Sequence, residues 1–342
     1  MTNTKPFIIA DIGSNHRGDF KLACDQIYAA MEVGCDAAKF QLYTHEELYG
    51  VPGDMPHCLP PDWVPRLKEH ADKVGIEFMC SAFSCAGVAN VDPYVRRHKL
   101  ASSEMLHFPM LDRLFATGKP VIISTGGMSW QDVAELMDYA LCQVGPGRIT
   151  LLECVAQYPA PPHLYDVLVL RRWQTTYGSA LETVGISDHT AHSATLAILA
   201  IGYGATVFEH HFDAVIGPAT ADTPVSYDRL DMADYVANIR AAFRAIGDGI
   251  KQPRQQSEAV LRYRRRPIVT RPLTAGDTLE LGVNFGLYRS LKDDAHGGPT
   301  HIFRQLDGRR LTTDKRPGDS LWFSDVDGAT PTGVSSEARA IS

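Results

Sequence analysis

ATVFEHHF, residues 205–212, opens as a β-branched and aromatic run and ends in an acid and two histidines. Taken alone it is one strand with polar residues at its end, so its rank along the chain is what decides the fold. Short runs rich in Val, Ile and Phe precede it at FIIADIG (7–13), DAAKFQLY (36–43), GIEFMCSAF (75–83), HKLASSE (98–104), PVIISTGG (120–127), RITLLECVA (148–156) and TVGISDH (183–189), which makes it the eighth. Segments of helical period separate these runs. In FKLACDQIYAAMEVG, Leu22, Ala23, Ile27, Ala30 and Met31 mark one face and Gly34 supplies a stop. Eight alternations over residues 1–250, closed by a helix at 229–249, predict an α/β chain of the (β/α)8 TIM-barrel class, with a doubly wound open sheet as the alternative.

After Gly249 the texture changes. Residues 251–266 read as a polar, basic linker, whose run RYRRR (262–266) is expected to be solvated rather than a binding patch. Residues 267–329 hold short strand-like runs between turn residues and predict a small β-rich domain, and 330–342 lack an apolar pattern and predict a disordered tail. A formal charge of −7 spread along the chain argues against nucleic acid as a partner, and no window is long and apolar enough to span a membrane. Seven cysteines without a CxxC pair fit a reducing compartment and are expected to act as buried small hydrophobes. The first residues lack the regions of a signal peptide, so a cytoplasmic protein is expected.

In such a barrel the chemistry collects at the C-terminal strand ends. Those ends carry Asp11, Lys39 and Gln41, Ser81, Lys99 with Ser102 and Glu104, Ser124, Tyr158, Ser187 with His189, and Glu209 with His211. Side chains alternate along a strand, so Lys39 shares a face with Gln41, Ser187 with His189, and Glu209 with His211. A lysine inside a barrel is costly unless an anion meets it. Lys39 and Lys99 therefore point to a phosphate or carboxylate ligand, with Ser81, Ser102, Ser124 and Ser187 as further donors. His189 and His211 suit an open divalent site completed by water and substrate, with Asp11, Glu104 and Glu209 as bases or orienters. His210, of opposite parity, should face the helices. Each residue has a plainer reading by itself: strand-end serines and Asp188 commonly cap helices, and a lone histidine can simply face water. Their convergence on one rim favours a site.

At these residues the chain resembles the N-acetylneuraminate (sialic acid) synthase family. The matching motifs are ADIGSNHRGD, AAKFQ, HKLASSEM, VIISTGGM, GISDHT and VFEHHF, in order along the barrel. The segment GRRLTTDKRPGDSLWFSDV is similar to the family's antifreeze-like SAF domain, which the resemblance lays over residues 267–329. The resemblance implies condensation of phosphoenolpyruvate with a sugar aldehyde, N-acylmannosamine-like or a variant, to give a 2-keto-3-deoxy sugar acid and phosphate. It implies that His189 and His211 bind a divalent metal, with manganese expected and magnesium or cobalt as alternatives. It further implies that Lys39, Lys99 and the serines Ser81, Ser102, Ser124 and Ser187 bind phosphoenolpyruvate and that Asp11 and Glu104 are the catalytic carboxylates, while Glu209, as a further catalytic candidate, and Gln41 and Tyr158 join the site by their strand-end positions. Arg289, in LYRSL, matches the arginine that one subunit extends into the barrel of the other, which implies a domain-swapped homodimer.

The match is uneven. Where the family reads GPDHKAS after strand eight, this chain reads GPATADTPVS, so Ala219 and Thr220 replace an aspartate and a histidine, and Asp222 becomes the candidate substitute. Asp11 stands where the family has glutamate. The donor half matches better than the acceptor half, which predicts that phosphoenolpyruvate is kept and the aldehyde differs. Two alternatives stay open: a metal-dependent aldolase or sugar isomerase that uses no phosphoenolpyruvate, and a non-catalytic sugar-binding relative.

Overall fold

The computed structural model describes residues 5–191, 193–215, 217–249, 263–290 and 300–328, and it divides the chain into two compact units, residues 1–249 and 250–342. In the first unit the strands β1 (Phe7–Gly13), β2 (Ala37–Leu42), β3 (Glu77–Ala82), β4 (His98–Leu100), β5 (Val121–Ser124), β6 (Ile149–Cys154), β7 (Leu181–Asp188) and β8 (Ala205–His211) pair in parallel and in sequence order. β8 returns to β1, so the sheet is a closed barrel and not an open one. Closure at the last seam brings backbones close together. A side chain at Gly185 of β7 would place its Cβ 2.1 Å from the carbonyl oxygen of Val207 on β8, so only glycine fits there.

Strand parity divides the apolar residues into two cores. One set, including Ile8, Ala10, Phe40, Phe78, Ile123, Leu151, Ile186 and Phe208, faces outward and packs beneath the helices. The other, Ile9, Ala37, Met79, Ile122, Leu152 and Val207 with Phe7, fills the lower barrel. Two residues farther along those same strands stand Asp11, Lys39, Ser81, Ser124, Cys154 and Glu209, so the interior changes from apolar to polar within one layer.

Three boundaries differ from expectation. The fourth run is a strand only over His98–Leu100; Ser102–Glu104 form a 3-10 turn closed by Glu104 N–H to Ala101 O at 3.1 Å, and Ser102 Oγ leaves the ladder to accept Gly126 N–H at 2.8 Å. The closing helix spans Arg229–Ala245, shorter than 229–249. Arg265 and Arg266 are not linker residues: β9 (Arg265–Val269) pairs antiparallel with β10 (Phe285–Arg289), Arg265 Nη1 donates to Leu287 O at 3.0 Å, and Arg266 is buried.

The second unit has a core of its own, made by Val269, Leu273, Leu279, Phe285, Ile302, Leu306, Leu311, Leu321 and Val326. Ile268 of β9 forms an antiparallel bridge to Ser320, and isolated bridges Leu273 to Lys315 and Leu311 to Val326 tie further segments of the unit together. The tail expected at 330–342 and the linker up to residue 262 lie outside the described residues. All seven cysteines are free, but only Cys35, Cys80 and Cys154 are buried and Cys142 is exposed, so the reading of all seven as buried hydrophobes does not hold. Among the described residues no helix is long and apolar enough to cross a membrane.

Candidate active site

The cavity at the C-terminal strand ends is lined by Asp11, Lys39, Gln41, Ser81, Lys99, Ser102, Ser124, Cys154, Tyr158, Ser187, Glu209 and both His189 and His211. Register explains the assembly. Asp11 stands opposite Lys39 on one side and His211 on the other, Gln41 opposite Ser81, Ser81 opposite Lys99, and Ser187 opposite Glu209. A larger cavity of about 390 Å³ lies at the strand N-termini, around Phe7, Asp36 and Glu77. Its carboxylates Asp36 and Glu77 are met by cations of the protein, Asp36 by Lys5 and Arg240 and Glu77 by Arg97.

The two lysines are almost fully buried, and the anions that meet them are carboxylates of the protein itself. Lys39 Nζ lies 2.7 Å from Asp11 Oδ2 and 3.8 Å from Glu209 Oε2, while Lys99 Nζ lies 3.4 Å from Glu209 Oε1. A buried lysine thus does not by itself demand a bound anion, because carboxylates at the same height on β1 and β8 can neutralise it. The two differ in degree. Burial alone would lower the pKa of Lys39, but Asp11 and Glu209 carry it above the ordinary lysine value. Burial lowers that of Lys99, and Glu209, with Lys39 opposing, does not restore it. Burial would raise Asp11, yet Lys39 and His211 hold it below the ordinary carboxylate value.

Hydrogen bonds leave this cluster partly open. Lys99 donates to Ser124 Oγ at 2.8 Å and Leu100 O at 3.1 Å, Ser187 Oγ donates to Glu209 Oε1 at 3.0 Å, and Gln41 Nε2 donates to Asp11 Oδ2 at 3.2 Å. Asp11 Oδ1, Ser81 Oγ, Glu209 Oε2 and His211 Nδ1 are buried with no hydrogen-bond partner in the protein. Buried polar atoms without partners are rare, and four around one cavity are groups prepared for a ligand.

The imidazoles of His189 and His211 lie with ring centroids 5.3 Å apart. Burial lowers the pKa of both, so both are neutral near pH 7 and able to ligate a cation. His189 Nδ1 donates to Val155 O at 2.7 Å, which fixes the ring and leaves Nε2 as the ligating nitrogen. The Tyr158 ring stacks on His189 at 4.3 Å between centroids. Two neutral imidazoles, one with an orphaned nitrogen, fit an open divalent site whose other positions go to water and substrate. No cluster of three or more His, Cys, Asp or Glu suited to a metal occurs among the described residues, so a closed structural site is not present there.

Three further residues complete the picture. Asp222 reaches the mouth from the loop after β8: its Oδ1 is 3.8 Å from His211 Nδ1, and its Oδ2 accepts from Ser14 N–H at 3.0 Å and Ser14 Oγ at 2.9 Å. The close approach requires Gly13, with φ 51°, because a Cβ there would stand 2.4 Å from Asp222 Oδ2. Glu104 does not line the cavity; on the 3-10 turn its carboxylate lies 3.4 Å from His107 Nδ1. Arg289, on β10 of the second unit, has its guanidinium 5.2 Å from the Tyr263 ring centroid. Sequence reasoning passed over Cys154, which faces the cavity with Sγ 3.9 Å from His189 Nδ1, although its parity with Leu152 places it inside. His210 faces the helices, stacked on Tyr227 with 3.5 Å between ring centroids.

Fold and site together define a (β/α)8-barrel enzyme with its polar residues gathered at the C-terminal mouth. The chain belongs to the NeuB family, whose model matches residues 26–251. It is 32% identical over 288 residues to the N,N'-diacetyllegionaminic acid synthase of Legionella pneumophila, covering 78% of this chain and 80% of that protein. Among solved structures it resembles the N-acetylneuraminic acid synthetase of Leptospira borgpetersenii, with a TM-score of 0.69 and 25% identity over 76% of this chain and 92% of that one. The putative spore coat polysaccharide biosynthesis protein E of Chromobacterium violaceum shares the fold, with a TM-score of 0.74 and 23% identity over 94% of this chain and all of that one (100%).

Proposed function

We propose that this protein is a sugar acid synthase that condenses phosphoenolpyruvate with a sugar aldehyde, releasing phosphate and a 2-keto-3-deoxy sugar acid. The observation that carries the reading is the single cavity holding Lys39, Lys99, His189 and His211 around unpartnered polar atoms. Synthases of legionaminic and N-acetylneuraminic acid among its relatives support it. These relatives do not favour an aldolase or isomerase that uses no phosphoenolpyruvate.

In this reading Lys99, the less fully neutralised lysine, and the free hydroxyl of Ser81 receive the phosphate or carboxylate of the donor, with Lys39, Ser102, Ser124 and Ser187 around them. C3 of phosphoenolpyruvate attacks the aldehyde carbon, water adds at C2, and the tetrahedral product expels phosphate. Asp11, held ionised by Lys39 and with Oδ1 unpartnered, is placed to accept a proton from that water, and Glu209 balances the lysines. Glu104 would take this role only after leaving His107. A divalent metal, manganese by preference and magnesium or cobalt otherwise, would be held by His189 and His211 and would polarise the aldehyde oxygen. Asp222 stands beside His211 and supplies an acceptor for the aldehyde's hydroxyl groups, in place of the family residue that is Ala219 here. The second unit would act as an SAF domain, bringing Arg289 to a partner's barrel in a domain-swapped homodimer. The seven free thiols agree with action in the cytoplasm.

The test is to incubate the protein with manganese, phosphoenolpyruvate and a panel of aldoses and N-acyl sugars and to follow phosphate release. Release that depends on both metal and aldehyde is expected. No release from any member, together with no binding of phosphoenolpyruvate by calorimetry, rejects the reading; binding without release favours a sugar-binding relative.

A further inference from the structure

Two loops meet at the barrel mouth through a set of hydrogen bonds that the proposed chemistry does not use. Arg17, in the loop after β1, has left-handed backbone (φ 51°), a conformation that disfavours any residue but glycine. Its guanidinium reaches across to the loop after β8. Nε donates to Pro218 O at 2.7 Å, Nη1 donates to Asp213 Oδ1 at 3.2 Å, and Nη2 pairs with Asp213 Oδ2; Nη1 also ties back to Asn15 O at 2.9 Å. Both side chains of the ion pair are only about a tenth exposed (9% and 10%). Gln26 adds a bond from Nε2 to Asp213 Oδ1 at 2.9 Å and accepts Ala214 N–H at 2.7 Å.

The bonds continue toward the site. Asn15, fully buried, donates from Nδ2 to Phe212 O at 3.0 Å and Ser226 Oγ at 2.8 Å, and its Oδ1 accepts from Thr220 Oγ1 at 2.5 Å. Thr220 Oγ1 in turn accepts the N–H of Asp222 at 3.2 Å, and Ser14 holds the Asp222 carboxylate. An unbroken path thus runs from Arg17 to the one mouth acid described here that is carried by a loop and not by a strand. A backbone penalty at Arg17 is tolerated where the surrounding contacts over-determine it, as this clamp does.

We infer that Arg17 is a positioning residue that pins Asp213 and Pro218, in the loop after β8, to the loop after β1, so that Asp222 stands beside His211 and sets affinity for the acceptor, not the donor. The inference rests on the reading of the site as one that joins phosphoenolpyruvate to a sugar aldehyde. It predicts that loss of the clamp is felt at the acceptor side alone.

The test compares wild type, Arg17→Met and Arg17→Lys, each with and without Asp222→Asn, by hydrogen–deuterium exchange and by phosphate-release kinetics. In Arg17→Met, amides of 213–222 and of Ser14 should exchange faster while β2 to β6 do not change. The acceptor KM should rise about tenfold or more, because a misplaced positioning group costs up to about a hundredfold. The donor KM should stay within about twofold, Arg17→Lys should lie between, and in the Asp222→Asn background Arg17→Met should add less than about twofold. Unchanged exchange over 213–222, equal effects on both KM values, or full additivity with Asp222→Asn would each overturn the inference. If wild type releases no phosphate with any acceptor, the reading of the reaction fails, and exchange at 213–222 and Ser14 still decides for or against the clamp.

Discussion

The two halves of the mouth are built differently. Lys39, Lys99, Ser81, Ser187 and Glu209 stand on barrel strands at positions paired with the strand on either side, and Ser124 ends β5 paired with β6. Asp222 stands on a loop and is fixed by side chains of another loop, through Ser14 and the bonds around Asn15. A strand-borne group cannot move without disturbing the sheet, whereas a loop-borne group can be replaced or shifted by a few substitutions. The groups proposed to hold phosphoenolpyruvate are thus strand-borne, whereas Asp222, proposed to meet the hydroxyl groups of the acceptor, is loop-borne.

The sharpest way to break that contrast is Lys99→Met. The variant removes the donor to Ser124 Oγ and the cationic partner of Glu209 Oε1. Charge-assisted hydrogen bonds contribute roughly 1.5–3 kcal/mol each, so phosphoenolpyruvate affinity should fall at least about a hundredfold and phosphate release should vanish. Calorimetry and a phosphate assay measure both, and circular dichroism checks that the barrel remains. Normal turnover would remove Lys99 from the donor site. His211→Ala comes next. Changes to groups that merely orient a ligand cost about 10- to 100-fold in metal affinity, so loss of a ligand should weaken manganese binding by about a hundredfold or more. Paramagnetic resonance of added manganese reads this without any substrate. Manganese bound as tightly as in wild type would exclude this ring as a ligand.

A smaller and more selective effect is expected at the loop. Asp222→Asn keeps the shape and can still accept from Ser14, but it removes a charge next to His211. The acceptor KM should rise about tenfold with the donor KM unchanged, since only one charge-assisted contact weakens. A parallel rise in both KM values would show that the halves are not separable in the way their construction suggests.

How far these features were legible follows from the same contrast. Eight strand runs and their alternating parity are local properties, so the barrel and the inward set Lys39, Gln41, Ser187, His189, Glu209 and His211 could be read from sequence. Cys154 was readable by the same rule through Leu152 and was missed because cysteine was counted with the hydrophobes. The counter-ions of the lysines were not readable as partners. That Asp11 faces Lys39 and Glu209 reaches Lys99 depends on the register between strands, which a single sequence does not encode. The Asp222 loop was harder still, because its conformation hangs on a bond between Thr220 and Asn15, 205 residues apart. Glu104 was misplaced on a strand because the turn at Ser102 depends on Gly126 of the neighbouring loop.

The smallest expected effect tests parity from the outside of the barrel. Glu153 precedes the cavity-facing Cys154 and therefore points outward, where its Oε1 accepts Asp166 N–H at 3.2 Å. Burial pushes its carboxyl up from an ordinary 4.5 to about 7, against the backbone bond from Asp166, which favours the charged form. The sign of the linkage is fixed by which state holds the proton more tightly. Between pH 4.5 and about 7 the native state binds the proton that the unfolded chain releases, so this group's contribution to stability falls as pH rises through that window and is level above it. Glu153→Gln should accordingly differ little from wild type at pH 5, where the wild-type carboxyl is protonated, and should melt a few degrees higher at pH 8, where the wild type must bury a charge. Thermal denaturation at the two pH values gives the comparison. An equal difference at both would mean that Glu153 is already ionised at pH 5, and hence that the outward face of β6 is better solvated than its position beneath Asp166 indicates.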